Sequence, residues 1–122
     1  VNKLKQPTAE AKSVAFQKDV PFLFFNVNKK NVKVFLDDIL YVESLKEYVR
    51  IVTAEKTLVT KYQIGAIAKL LGEDNFLRIH RSYLVSKKQI DAYSATVIEI
   101  DNYSLPIGRN YRELVMRILG NK

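Results

Sequence analysis

Three separated stretches of the chain carry polar and basic side chains that could bind an anion. Residues 77–90, LRIHRSYLVSKKQI, contain five potentially cationic groups and no acidic one, and residues 105–112, LPIGRNYR, contain two arginines. The third stretch, residues 43–48 with the sequence ESLKEY, places one lysine between two glutamates. Guanidinium and ammonium groups form charge-assisted hydrogen bonds with phosphate, and arginine also recognises guanine. These residue types predict the binding of a polyanion.

The overall charge agrees with a polyanionic partner. Lys and Arg total 20 against 13 Asp and Glu, which gives a formal charge of +7 and a pI of about 9.6. A pI above about 9 is typical of nucleic-acid-binding domains. Charge alone does not separate DNA, RNA and an anionic membrane surface, so these three partners stay open at this point.

The composition argues against catalysis and against a metal site. Cys is absent and there is one His, which excludes thiolate zinc sites, cysteine nucleophiles and multi-histidine metal sites. The adjacent pair Asp37 and Asp38 is typical of a turn, and His80 with Ser82 lacks the G-x-S-x-G elbow of many serine hydrolases. We therefore expect a protein that is not an enzyme and that needs no cofactor.

Length and composition indicate one folded domain that follows a linker. The chain has 122 residues, of which 48% are hydrophobic and 27% charged. It has no apolar run of the roughly 18 residues that a membrane span needs and no secretory signal, so we expect a cytoplasmic protein. Residues 1–18 are predicted to form a linker with a short helix over residues 9–18, and residues 19–122 to form the domain. Because the chain begins with Val1, we expect a processed protein or a piece of a longer one.

Short β-prone runs separated by turn residues predict a mainly β fold with two or three short helices. The predicted strands cover residues 22–27, 32–36, 39–42, 48–52, 57–60, 76–79, 83–86, 95–100 and 103–106. An internal helix is expected between a capping box of Thr60 with Gln63 and a stop at Gly72. A terminal helix over residues 111–118 is expected to be capped by Asn110 and Glu113.

Strand periodicity predicts a break inside the middle stretch. In one unbroken strand over residues 76–86, Arg81 would share a face with Leu77 and Ile79, and a buried unpaired guanidinium costs several kcal/mol. The strand should therefore turn at residues 80–82 and display Arg81, either for recognition or simply to solvent. We expect His80 to support this turn through a hydrogen bond more than to contact a ligand. Lys87 could bind phosphate or guard a strand edge.

The other two stretches have comparable alternatives. Gly108 would let a phosphate approach the start of the terminal helix closely, with Arg109 beside it, or the segment is a purely structural helix entry. Residues 43–47 are predicted to project as a loop. Lys46 could pair with phosphate there, while the glutamates could accept from a cytosine amino group or hold the loop in shape.

In this order, the three stretches resemble the LytTR family, the DNA-binding output domain of many bacterial response regulators. The matching residues are 38–44 (DILYVES) with Tyr48 and Val49, 76–85 (FLRIHRSYLV) and 105–109 (LPIGR), and the resemblance extends over residues 22–119. It implies a fold of small, mostly antiparallel sheets with an internal helix and a C-terminal helix. It also implies that loops, rather than a recognition helix, enter the DNA grooves.

The resemblance implies a sequence-specific double-stranded DNA-binding domain of a two-component response regulator that controls transcription. Its expected partners are promoter DNA with repeated half-sites, a second copy of itself on DNA and an N-terminal receiver domain, with no membrane. The candidate DNA-binding residues are Arg81, Arg109, Lys46, His80, Asn110, Tyr48, Lys87 and Arg112. The alternative is a basic β domain that binds RNA or an anionic membrane surface. Its stacking groups would be aromatic residues that are more simply core, namely Phe22, Phe24, Tyr41 and Tyr48.

Overall fold

The computed structural model describes residues 21–120, so the linker predicted over residues 1–18 lies outside the described residues. This part of the chain has ten strands and two α-helices, which confirms the mainly β prediction. The strands are β1 (Phe22–Val27), β2 (Lys30–Phe35), β3 (Ile39–Leu45), β4 (Tyr48–Thr53), β5 (Thr57–Thr60), β6 (Phe76–His80), β7 (Tyr83–Ser86), β8 (Ala92–Tyr93), β9 (Val97–Ile100) and β10 (Tyr103–Pro106). The helices are α1 (Ile64–Leu71) and α2 (Arg112–Gly120), and within residues 21–120 no helix has the length and apolar character to cross a membrane.

A five-stranded antiparallel sheet, in the order β5-β4-β3-β7-β6, forms the centre of the domain. Its middle strand β3 begins with the apolar run Ile39–Val42, in which every residue is buried. A continuous apolar run of this kind is typical of a strand that is covered on both faces. The central sheet is accordingly enclosed between two other layers.

Each face of the central sheet packs against a different partner layer. One face is covered by the β1–β2 hairpin and α1, and its core includes Phe25 and Ile67. The other face is covered by the sheet β10-β9-β8 and α2, and its core includes Ile98, Ile100 and Val115. The two cores hold the central strands on both sides, so the turns between those strands are displayed from a rigid frame.

Helix α1 ends as the sequence predicted but begins for a different reason. It stops, as predicted, at Gly72, whose φ of 94° is readily adopted only by glycine. The predicted capping box is wrong: Gln63 is the residue before the first turn, and its side chain makes no capping hydrogen bond. Thr60 Oγ1 instead donates to the Asn26 carbonyl at 2.7 Å and so links β5 to β1. The Thr60 hydroxyl, which the local pattern assigned to the helix, is therefore bonded to a residue distant in sequence.

The C-terminal part also differs locally from the prediction. Strand β8 was not predicted, because both of its residues are exposed and give no alternating pattern. The strand expected over residues 95–100 begins only at Val97. Asn110 does not cap the last helix: it lies inside the 3-10 turn Arg109–Tyr111, and Gly108 occupies the position before that turn.

Three of the four aromatic residues assigned to the core are exposed. Tyr41 is buried, but Phe22, Phe24 and Tyr48 expose 43%, 56% and 46% of their surface. In β1 the side chains alternate, so Phe25 points into the core while Phe22 and Phe24 lie on the outer face of the hairpin. The core assignment of these three residues is therefore wrong.

Candidate nucleic-acid interface

Two tight turns lie side by side at one end of the central sheet. Residues 46–47 join β3 to β4, and residues 81–82 join β6 to β7. Because β3 pairs with β7 in the register Glu43 to Tyr83, both turns emerge at the same end, and the Ser44 N–H donates to the Ser82 carbonyl at 2.8 Å. Lys46 and Arg81 are both exposed. The structure thus brings together two of the predicted contact residues.

The predicted break in the middle stretch is confirmed, and an arginine stabilises it. β6 ends at His80 and β7 begins at Tyr83. Arg78 donates from Nε to the His80 carbonyl at 2.9 Å and from Nη2 to the Arg81 carbonyl at 2.6 Å. His80 Nδ1 accepts from the Ser82 N–H at 3.0 Å, so the ring is tied to its own turn. Both sides of the Arg81 turn are therefore held by hydrogen bonds.

The segment before α2 docks directly onto the end of β6. The Gly108 N–H donates to the Ile79 carbonyl at 2.8 Å. A Cβ at position 108 would lie 3.1 Å from Tyr111 Cδ2, closer than side chains normally pack, and 3.4 Å from His80 Cδ2, an ordinary packing distance. The sequence related Gly108 to the approach of a ligand, whereas the structure gives it an internal packing reason. Arg109, the next residue, is exposed. Because Gly108 is bonded to β6, Arg109 is held close to the Arg81 turn.

Glu43 serves the shape of the site. Its Oε1 accepts from Arg50 Nη1 at 2.6 Å across the β3–β4 pair. Burial raises the pKa of the Tyr83 phenol, and the Glu43 carboxylate raises it further through its charge and a hydrogen bond. Burial, followed by the charge of Glu43, likewise raises the pKa of Tyr41. Of the two roles left open for the glutamates, Glu43 has the structural one.

The projecting loop predicted over residues 43–47 is wrong. β3 continues to Leu45, which pairs with Tyr48, so only residues 46 and 47 form the turn. The stretch looked too polar for a strand because the partners of Glu43 lie on neighbouring strands and are invisible to a local pattern. Lys46 is nevertheless displayed, and its φ of 57° turns the chain sharply at that point.

Seven of the eight candidate residues lie in or next to this end of the sheet. Tyr48 follows the Lys46 turn, His80 precedes Arg81, and Asn110 and Arg112 follow Arg109. Lys87 is separate from them. It begins the 3-10 turn Lys87–Gln89 after β7, at the opposite end of the sheet, where its neighbour Lys88 pairs with Asp37 at 2.9 Å.

Arg78 is the residue of this site to which the sequence gave no role. It lies in β6 between the buried residues Leu77 and Ile79, and its guanidinium carbon is 6.0 Å from the centre of the Tyr111 ring. The sequence did contain a signal for this role. Arg78 is a charged residue between two core positions, and it lies two residues before the predicted turn at residues 80–82. Its fork of donors matches two carbonyls of that turn, which is a geometry that lysine cannot reproduce.

Comparison with known proteins gives one family and one fold. The family model described as the LytTr DNA-binding domain matches residues 29–120. A solved structure from Bacillus cereus, described as the LytTr DNA-binding domain of a methyl-accepting/DNA response regulator, superposes with a TM-score of 0.71 and 24% identity. The match covers 81% of this chain and 96% of that one. A comparison with curated proteins gives no significant match.

Proposed function

The chain belongs to the LytTr DNA-binding domain family, and we propose that it is the sequence-specific output domain of a bacterial response regulator that controls transcription. The observation that carries this proposal is the family match over residues 29–120, combined with the exposure of three cationic residues on turns of one connected surface. These residues are Lys46, Arg81 and Arg109. We call this surface the turn face.

The dimensions of the turn face support binding by turns in DNA grooves. The β3–β4 and β6–β7 turns are centred about two strand spacings apart, which is about 10 Å, and the major groove of B-DNA is about 12 Å wide. We propose that Arg81 and Arg109 reach the grooves and that Lys46 and Arg112 contact phosphate. His80 and Asn110 shape the turns between them, and Tyr48 packs beside Lys46.

The partners follow from the same proposal. Two copies would bind repeated half-sites in promoter DNA, and a receiver domain would precede this domain in a two-component regulator. Such a domain acts in the cytoplasm and performs no catalysis of its own, since its role is to position a protein on DNA.

A selection experiment tests the proposal without a known operator. Duplexes that bind the 122-residue chain would be selected from a random pool, and affinity would then be measured by fluorescence anisotropy. With about four phosphates neutralised per protomer, the slope of log K against log salt should be about −3.6. Arg81→Ala and Arg109→Ala should each weaken binding by about 1–3 kcal/mol, or about 5- to 150-fold, and relax the preference at the base they read.

The matched control is Arg117→Ala, which removes an exposed arginine from the last turn of α2. It should keep the affinity of the parent chain. Selection of no preferred duplex, or unchanged affinity in both turn-face variants, would contradict the proposal. Equal affinity for single-stranded RNA and duplex DNA, or firm binding to anionic vesicles, would favour the alternative partners instead.

A further inference from the structure

A basic cleft extends the turn face on the side of β5. It has a volume of about 580 Å³ and lies between the β1–β2 turn and the edge strand β5. Lys29 contributes from the first wall and Lys61 from the second, and both are exposed. None of the residues that line the cleft is acidic, while asparagines and threonines supply further polar groups. The chemistry of the lining suits an anion with several oxygen atoms.

The walls of the cleft are fixed relative to the turn face. Thr60 Oγ1 donates to the Asn26 carbonyl at 2.7 Å, and Thr60 pairs with Val49 in the central sheet. Tyr48, the residue before Val49, lines the cleft and also lies on the surface formed by residues 45–48. The cleft therefore continues directly from the Lys46 turn.

The backbone at Lys29 adopts a conformation that favours glycine. Residues 28 and 29 form the two-residue β1–β2 turn, with φ of 53° at Asn28 and 68° at Lys29. Asn followed by Gly is the usual choice for such a turn, because glycine adopts positive φ without steric cost. Lys46 occupies the same left-handed region, with φ of 57°. Two neighbouring turns thus hold a lysine where glycine would be less strained, and strain of this kind clusters at functional sites.

We propose that this cleft binds backbone phosphates of duplex DNA outside the base pairs read at Arg81 and Arg109. The inference rests on the proposed function and adds a binding site to it. From β6 to β5 the end of the sheet spans four strand spacings, about 19 Å, and a turn of B-DNA rises about 34 Å. The Lys29 and Lys61 ammonium groups therefore lie far enough along the sheet to meet phosphates that flank the recognised bases. Such contacts fix register and contribute affinity without reading sequence.

The test uses the double variant Lys29→Gly/Lys61→Ala in the full 122-residue chain, on the selected duplex. Removing two phosphate contacts should make the slope of log K against log salt less steep by about 1.8. Binding to the selected duplex and to its point-mutated forms should weaken by the same factor, so that sequence discrimination is unchanged. Lys29→Gly alone should raise the midpoint of thermal unfolding while weakening DNA binding. If Lys29 had a purely structural role, thermal stability and DNA affinity would change in the same direction.

The control is the double variant Lys56→Ala/Lys69→Ala. It removes the same charge from the β4–β5 turn and from the last turn of α1, and both residues are exposed. The duplex would also be shortened by stepwise removal of flanking base pairs. At a certain length the affinity of the parent chain should fall, whereas the affinity of the cleft variant should not change at that step.

The outcomes separate the inference from the proposed function. If Arg81→Ala and Arg109→Ala weaken binding while the cleft variant keeps the salt slope of its control, the cleft does not bind phosphate and the proposed function stands. If neither set of substitutions affects duplex binding, the proposed function itself fails. The inference would also be overturned if the cleft variant bound single-stranded RNA more weakly than the parent chain but bound duplex DNA equally well.

Discussion

Replacing Arg78 by lysine should weaken DNA binding although Arg78 itself is not proposed to touch DNA. Its guanidinium donates two hydrogen bonds, to the carbonyls of His80 and Arg81, at 2.9 and 2.6 Å. Lysine keeps the positive charge, but its ammonium group cannot reproduce the rigid fork that reaches both carbonyls at once. Arg78→Lys therefore tests the shape of the turn without changing the net charge.

The magnitude follows from the hydrogen bonds that are lost. A hydrogen bond to a charged group contributes about 1.5–3 kcal/mol, and we take the lower value because the bond to Arg81 is exposed. Loss of one bond makes the ordered turn about 1.5 kcal/mol less favourable, which corresponds to an affinity up to about tenfold lower if binding requires that turn. Arg78→Met loses both bonds, so its affinity should fall by up to about 100-fold.

The assay is anisotropy on the selected duplex over a range of salt concentrations, with urea unfolding to confirm that each variant is folded. If Arg78 only positions the turn, both variants should keep the salt slope of the parent chain. A slope less steep by about 0.9 in Arg78→Met would show that Arg78 neutralises a phosphate directly. Parental affinity in Arg78→Lys, with weak binding in Arg81→Ala, would refute the reasoning, because the Arg81 turn would then need no fork.

Three further predictions concern packing and burial. In Gly108→Ala the new Cβ would lie 3.1 Å from Tyr111, so that ring must shift by a few tenths of an ångström. Because Tyr111 belongs to the same turn as Arg109, DNA affinity measured by anisotropy should fall. Gly65→Ala, with open space around it, should stabilise α1 by about 1 kcal/mol in the same urea titration. The pKa of Tyr83 is raised in the folded state, so the unfolded chain releases that proton first and stability should fall as pH rises above about 10. Tyr83→Phe should show a smaller loss between pH 8 and 11, and equal losses would contradict the role given to burial and Glu43.

The sequence was sufficient where the cost of burying a group decided the structure. An arginine among core residues cannot share their face, so the break before Arg81 and the outward turn could be predicted from periodicity and the energy of a buried charge. The same logic placed α1, whose residues Ile64, Ile67 and Leu71 form one buried stripe ending at Gly72. Local pattern and tertiary structure agree at these positions.

The predictions that failed depended on partners distant in sequence. Glu43 lies in a strand because Arg50 and Tyr83 satisfy its carboxylate, and Thr60 bonds to Asn26 rather than to the helix that follows it. The close packing at Gly108 arises only when the last segment docks on β6. Polar residues have several possible partners within reach, so the local pattern cannot choose among them.

The charges of the folded domain are distributed unevenly between the two ends of the central sheet, which the net charge of +7 could not show. The turns of one end carry Lys46, Arg81 and Arg109 together with the acidic Glu47, and the basic cleft lies beside them. The opposite end carries five carboxylates, and three lysines partly offset them, of which Lys88 pairs with Asp37. The carboxylates belong to Asp37, Asp38, Glu55, Glu73 and Asp74, and the other two lysines are Lys56 and Lys87. A polyanion should therefore favour the turn face over the opposite end, and we expect this difference to orient the domain before any base is contacted. Because the β3–β4 and β6–β7 turns are only two residues long and are anchored by paired strands, little conformational entropy should be lost when Lys46 and Arg81 bind. We therefore expect the strand order to set the orientation of the domain on DNA, and the turn residues to decide which bases are read.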